Sequence, residues 1–293
     1  MARIQWFTCR EDFTAAARCL SEAIARHDVP LASLESVDGY CQACGCATVF
    51  LVNTGAMFAE RPNLREGLRC TRCQLTARQR LVLLAMQGEL ETMSGKSRAA
   101  LLERTTRLYG AARRRWPGLV GSEYLGEHRT SGRYYWWSTH WWRWRRTRHE
   151  SITGLSYADQ SLDLLVHSDV LEHVYNTRRA LAESVRVLRE KGVMIFTAPF
   201  FVEREVSLLR GRPLDGGVIE HLEAPEYHGD GVARGGIYTF HSFGWDLIPL
   251  MYEAGFARVE IGLCHASDEG FAVADPGIEH AWTGLLTVFR ATR

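Results

Sequence analysis

Two cysteine pairs carry the sharpest chemistry in the chain: Cys41-Gln-Ala-Cys44 and Cys70-Thr-Arg-Cys73. Two residues between cysteines let both thiolates of a pair reach one tetrahedral ion, and a shell of four soft sulfurs suits zinc. Four protein ligands leave no open position, so the expected role is structural, with Cys46 as a substitute ligand beyond Cys44. Knuckles of this kind hold short hairpins that bury too little apolar area to fold alone. Proton chemistry is offered elsewhere, by His173 and by Glu226-Tyr227-His228, the latter in a dense polar run from His221 to Asp230. Histidine and carboxylate side chains can pass protons near neutral pH. The histidines and Glu226 are thus in place for general acid–base work, with Tyr227 beside them.

These groups need elements to hold them, and the stretch from Ser161 to Phe201 supplies the clearest ones. Leu162 to His167 is a short apolar run that reads as a buried strand. Asn176 to Glu190 carries Ala180, Leu181, Ser184, Val185 and Leu188 at helical spacing, with Lys191-Gly192 as its stop. Val193 to Phe196 is a second apolar run, closed by Pro199. Strand, helix, strand with short joins is a right-handed βαβ unit with parallel strands. Ligands of open parallel sheets bind beyond the carboxyl ends of the strands, which puts His167 to His173 at the rim of a site. Phe200 to Thr239 leaves the second strand end and is expected to fold over that rim, carrying Glu226 to His228 with it.

The same stretch reads D-x-x-x-x-x-D-V-L-E-H-V from Asp163, then a helix ending R-V-L-x-x-x-G, then a strand into Pro199-Phe200. It resembles the class I S-adenosylmethionine (SAM) dependent methyltransferases of the type 11 group. The resemblance implies an α/β, Rossmann-like, doubly wound, seven-stranded and mostly parallel sheet over residues 95–293. A helical arm (1–38) and a small zinc-ribbon-like module with a linking helix (39–94) would precede it. It also implies SAM as cofactor, with Ser168, Asp169 and Val170 at its edge. Glu123, at the end of the second strand, would accept bonds from the ribose hydroxyls, with Tyr124 beside adenine. Glu150, Ser151 and Ile152 occupy the place of the family's adenine-binding acid. The family's Gly-rich loop after the first strand is replaced by Glu103-Arg104-Thr105-Thr106. There Arg104 and the two threonine hydroxyls would hold the SAM carboxylate, aided by the helix N-terminus. A helix over Phe243 to Ala254, a strand over Ala257 to Leu263 and another over Trp282 to Phe289 complete the family's order.

Composition bounds the rest. Lys and Arg number 35 against 34 Asp and Glu, so no global field draws the chain to nucleic acid or a membrane. Neither a leader peptide nor an apolar run near spanning length is expected. Of eight cysteines five fall between Cys41 and Cys73, which points to metal in a reducing compartment, by default the cytoplasm. Arg61, Arg65, Arg69, Arg72, Arg78 and Arg80 surround the knuckles and read as a solvated face, with nucleic-acid binding as the competing reading. Residues 133–148, RYYWWSTHWWRWRRTR, read as an aromatic hairpin over the adenine pocket or a homo-oligomer contact. The function the resemblance implies is methyl transfer from SAM to a small-molecule acceptor, with His173 or His228 as the base and Glu226 and Tyr227 shaping the acceptor site. Aminocarboxypropyl transfer or cyclisation is the alternative suggested by the altered loop.

Overall fold

The computed structural model describes residues 1–52, 56–58, 61–93, 97–138, 144–229, 232, 235–273 and 285–293. In chain order the main elements are β1 (Gln5–Phe7), α1 (Arg10–Ala23), β2 (Ser36–Cys41), β3 (Cys46–Val52), β4 (Leu68–Cys70) and α2 (Ala77–Leu90). There follow β5 (Ala99–Leu101), α3 (Arg107–Arg115), β6 (Val120–Gly121), β7 (Tyr134–Trp137) and β8 (Arg145–Arg148). The C-terminal half adds β9 (Leu162–Ser168), α4 (Thr177–Val187), β10 (Leu188–Thr197), α5 (Leu247–Ala254), β11 (Arg258–Leu263) and β12 (Thr287–Thr292).

Seven of these strands form one sheet in the order β1-β11-β12-β10-β9-β5-β6. Strands β6, β5, β9 and β10 run parallel, and β12 lies antiparallel between β10 and β11. This is the Rossmann-like, doubly wound arrangement expected from the sequence. Every residue of β9 is buried, as a central parallel strand covered on both faces requires. The seventh strand has an unexpected source. It is β1, which pairs antiparallel with β11 at the sheet edge, from residues read as part of a helical arm. Its three residues are too few to show a period.

Other boundaries shift for local reasons. The α4 helix stops at Val187, before Lys191-Gly192, because Leu188 already pairs with Leu162. The register then slips between Leu162 and Leu164, and Lys191 takes a left-handed backbone (φ +61°). Helix α5 begins at Leu247 and closes at Gly255, whose φ of +112° favours glycine. The last strand starts at Thr287, later than the apolar run suggested; Trp282 lies outside the described residues, as do Ser94 to Lys96, Trp141, Trp142 and Asp230.

Strands β2, β3 and β4 form a separate antiparallel sheet with the cysteines at its ends. Phe50, Leu64 and Leu68 are buried beneath it together with Ala272 of the main domain. Helix α2 leaves this module through a capping box, in which the Thr76 hydroxyl accepts from the Gln79 amide. Its Arg80 is only 2% exposed. The guanidinium donates to the carbonyls of Leu68, Leu75 and Gly270 and lies 4.6 Å from the Phe50 ring centre. One buried cation thus ties the module to the main domain.

Candidate active site

The carboxyl ends of β5, β6, β9 and β10 converge on one edge. Beyond β5, the loop Glu103 to Thr106 turns toward Glu123. The Glu123 Oε2 accepts from the amides of Arg104 (3.1 Å) and Thr105 (3.0 Å) and from the Thr105 hydroxyl (2.8 Å). Burial pushes the Glu123 carboxyl up to about 7, against those bonds. The Thr106 hydroxyl donates to Glu103, and the Arg104 guanidinium lies 4.9 Å from the Tyr109 ring centre. Burial also raises Glu103, and its Oε2 has no hydrogen-bond partner among the described residues. Amides that a Gly-rich loop would turn to a ligand are here turned to the neighbouring strand's carboxylate.

Glu123 also bridges to His149, at the end of the β7–β8 hairpin, and His149 Nδ1 accepts from the Leu125 amide. Tyr124 is half-exposed, its ring 5.4 Å from His149. Glu150 is buried, and its carboxylate accepts from Arg148 (2.8 Å) and the Ser156 amide (2.9 Å). The Ser151 hydroxyl bonds Thr153, and Ile152 is buried.

At the end of β9 the sequence reading missed two partners. Asp169, in a left-handed backbone (φ +50°), receives a bidentate pair from Arg65 at 2.9 and 3.0 Å. Arg78 adds a contact at 3.1 Å and the Thr197 hydroxyl another at 2.8 Å. Burial would raise the Asp169 carboxyl, but the two guanidinium groups outweigh it and hold the group well below the usual carboxylate range. Arg78 also donates to Ser168 and Glu66. Arg65 and Arg80, read as part of a solvated face, are therefore buried, at 4% and 2% exposure. The usable signal was Asp169 itself, a carboxylate at a buried strand end that needed cations. His167 also departs from its expected place at the rim. It is fully buried, stacks on Phe196 at 5.0 Å, and burial lowers its imidazole to about 3.

One turn beyond Asp169, the short helical turn Leu171–His173 meets the hairpin of Tyr227–His228 and Ile237–Tyr238. The Phe240 amide donates to the Glu172 carbonyl at 2.7 Å, which fixes the two segments together. His173 and His228 stand edge to face, ring centres 5.0 Å apart. His173 Nδ1 donates to the Tyr238 carbonyl (2.9 Å), and His228 Nε2 to Glu226 (2.9 Å). That His228 bond lowers the Glu226 carboxyl. Tyr227 is exposed, its ring packed edge-on to Tyr238. Glu172, which the sequence reading passed over, lies beneath both imidazoles.

The four cysteines form the second cluster. Their Sγ atoms lie within 4.8 Å of one another, with Cys41–Cys73 and Cys44–Cys70 both at 3.8 Å. A tetrahedral zinc with Zn–S of about 2.3 Å has S···S edges of about 3.8 Å, so the spacing fits such an ion. Cys46 is outside the group.

Residues 137–196 match the family model described as a methyltransferase domain. Over that stretch, which holds β9, α4 and most of β10, the chain is similar to a methyltransferase domain, and it is a transferase. No curated protein matches it. Among solved structures, a SAM-dependent methyltransferase of Mesorhizobium loti is similar at 14% identity and a TM-score of 0.39, over 74% of this chain and 98% of that one. A SAM-dependent methyltransferase of Thermotoga maritima shares 14% identity at a TM-score of 0.33, over 73% and 91%. A phosphoethanolamine N-methyltransferase of Haemonchus contortus, solved with S-adenosylhomocysteine, shares 11% at 0.39, over 72% and 52%. Among the described residues no helix is long and apolar enough to cross a membrane.

Proposed function

We propose that the chain transfers a methyl group from SAM to a small-molecule acceptor at the edge formed by β5, β6, β9 and β10, with a structural zinc in the cysteine group. The observation that carries this reading is the convergence of Glu123, Asp169 and the Glu172–His228 cluster on the carboxyl ends of adjacent parallel strands. The residues present suit the cofactor. All three bonds to Glu123 fall on Oε2, which leaves Oε1 to accept from ribose hydroxyls. The partnerless Glu103 Oε2 is an acceptor for an ammonium, and Arg104 and Arg78 supply positive charge for a carboxylate. SAM supplies an activated methyl on its sulfonium. The protein's task is then to align the acceptor and take up its proton. His173 and His228 stand on the rim for that second task, with Glu226 fixing the His228 ring and Tyr227 at the mouth.

Calorimetric titration with SAM and with S-adenosylhomocysteine tests the reading, since it probes the glycine-free loop directly. Micromolar binding of both is expected, and no binding of either rejects it. The loop supports a second reading, because its amides are spent on Glu123 and the amino-acid arm must be held by side chains. Methylthioadenosine as product would mean that this arm is transferred or cyclised; S-adenosylhomocysteine would mean methyl transfer.

A further inference from the structure

The Glu172 carboxylate is fully buried, and neither of its oxygens has a hydrogen-bond partner among the described residues. A bare carboxylate in that position is costly unless protonated or matched by a cation. In their neutral forms the two neighbouring imidazoles turn a lone pair toward it rather than a proton. His173 spends its Nδ1 proton on the Tyr238 carbonyl, so Nε2 carries the lone pair, 3.7 Å from Glu172 Oε1. His228 spends its Nε2 proton on Glu226, so Nδ1 carries the lone pair, 3.9 Å from the same oxygen. Three electron-rich atoms therefore face one another, all within 4.8 Å. Each imidazole is oriented from behind by a carbonyl or carboxylate, the arrangement that fixes the tautomer of metal-bound histidines. Arg210 in turn holds Glu226 at 3.2 Å.

We propose that Glu172, His173 and His228 form a second metal site, which binds a divalent transition cation and leaves a coordination position open to the acceptor. Two histidines and one carboxylate are a ligand set for zinc-like ions with open positions. Zn–N and Zn–O bonds of about 2.0–2.2 Å require ligand atoms about 3.3 Å apart, so each imidazole need approach Glu172 by only about half an ångström from 3.7 and 3.9 Å, and the two ring nitrogens, within 4.8 Å of each other, by at most about 1.5 Å. The two imidazoles keep 12% and 23% of their side-chain surface exposed, whereas the carboxylate has none, so the open side faces outward. Burial and the nearby Asp169 charge raise the Glu172 carboxyl well above its ordinary range without a cation. What the cation does rests on the acceptor-site reading above: it would bind the acceptor oxygen and acidify its proton, which then leaves to water, since the metal holds the imidazole lone pairs that would otherwise take it up. Whether the cation binds does not rest on that reading.

The test is cobalt(II) titration of the tag-free, metal-stripped full chain, without SAM or acceptor. Two equivalents are expected, one with thiolate charge-transfer bands from the cysteine group and one with weaker visible bands alone. His228→Gln and Glu172→Gln should lose the second equivalent and keep the first, which reports that their fold is intact. Glu226→Gln, which disturbs only the orientation of His228, should weaken the second site about 10–100-fold. A wild-type chain that takes up cobalt only with thiolate bands, or variants that bind the second equivalent as tightly as wild type, would overturn the proposal. If the cysteines bind no cobalt, wild-type melting curves serve as the fold control, and the weak bands alone decide. Since no methyl donor is present, failure here leaves the SAM titration untouched, and the reverse holds too.

Discussion

The cysteine group and the Glu172–His173–His228 group both gather ligand-type side chains, yet they are built in opposite ways. Cys41 to Cys44 and Cys70 to Cys73 owe their proximity to two tight turns and one small sheet. Spacing along the chain nearly dictates the site, and four thiolates close it. Glu172 and His173 sit on a turn after a central strand, and His228 arrives on a separate hairpin. Nothing in local spacing brings them together; the topology of the sheet does, and it leaves one side open. A closed, locally encoded cluster suits structure, and an open, topologically assembled one suits chemistry.

Breaking the closed cluster should have the largest effect. In Cys41→Ser, the zinc proposed for the cysteine group should no longer be held, and with it should go a contribution on the order of 10 kcal/mol to the fold of the module. Limited proteolysis should then cut within residues 36–73, and a protected module would refute a structural role for the metal. Next comes the tie between the module and the sheet edge. Arg65→Ala removes the bidentate partner of Asp169, leaving it Arg78 and Thr197, and should cost about 1.5–3 kcal/mol in urea unfolding, the worth of hydrogen bonds to a charged group. The Arg65→Ala/Asp169→Asn pair should cost less than the sum of the two single changes, because the two residues share one interaction and Arg78 keeps Glu66. A double variant as unstable as the sum would show that the pair acts through packing.

Smaller effects separate cofactor from scaffold. Glu123→Gln should weaken SAM about tenfold or more, the worth of a bond to a charged acceptor. In the wild type the Glu123 carboxyl sits near 7, so SAM affinity should rise with pH through about 7 and level off above it. The Gln variant should show no such rise in calorimetry, and an unchanged profile would assign the titration to another group. The sign for stability is opposite. A raised folded value means this group stabilises the fold fully below the ordinary glutamate range and loses that contribution as pH climbs through about 7. Smallest of all, Thr76→Ala removes the cap of α2 and should cost about 1 kcal/mol. Thermal melting should detect it, while metal uptake at both clusters stays as in wild type.

Much of this was legible. Leu162 to Phe201 announced strand, helix and strand because apolar period and length are local properties, and the cysteine spacing is equally local. Glu123 was readable as a strand-end acid. Arg65, Arg78 and Arg80 were not, since charge alone suggests a solvated face; Asp169, about a hundred residues downstream, gives the first two their reason to turn inward, and backbone carbonyls as distant as that of Gly270 give Arg80 its own. His167 misled in the reverse sense. Its position in an otherwise apolar run was the clue, because a strand buried on both faces turns any histidine into a neutral core residue. Glu172 escaped notice because its significance depends on what packs above it, which a sequence motif does not state.

Strand β1 has a consequence in time as well as in space. Its pairing with β11, together with the Ala2 amide donating to a Glu269 oxygen 2.7 Å away across 267 residues of chain, joins segments that lie far apart in the sequence. During synthesis the first strand therefore emerges long before its partner exists. Contacts of such sequence separation slow the search for the native state. The N-terminal strand should be the last to dock, and hydrogen exchange during refolding should find its amides protected after those of β9 and β10.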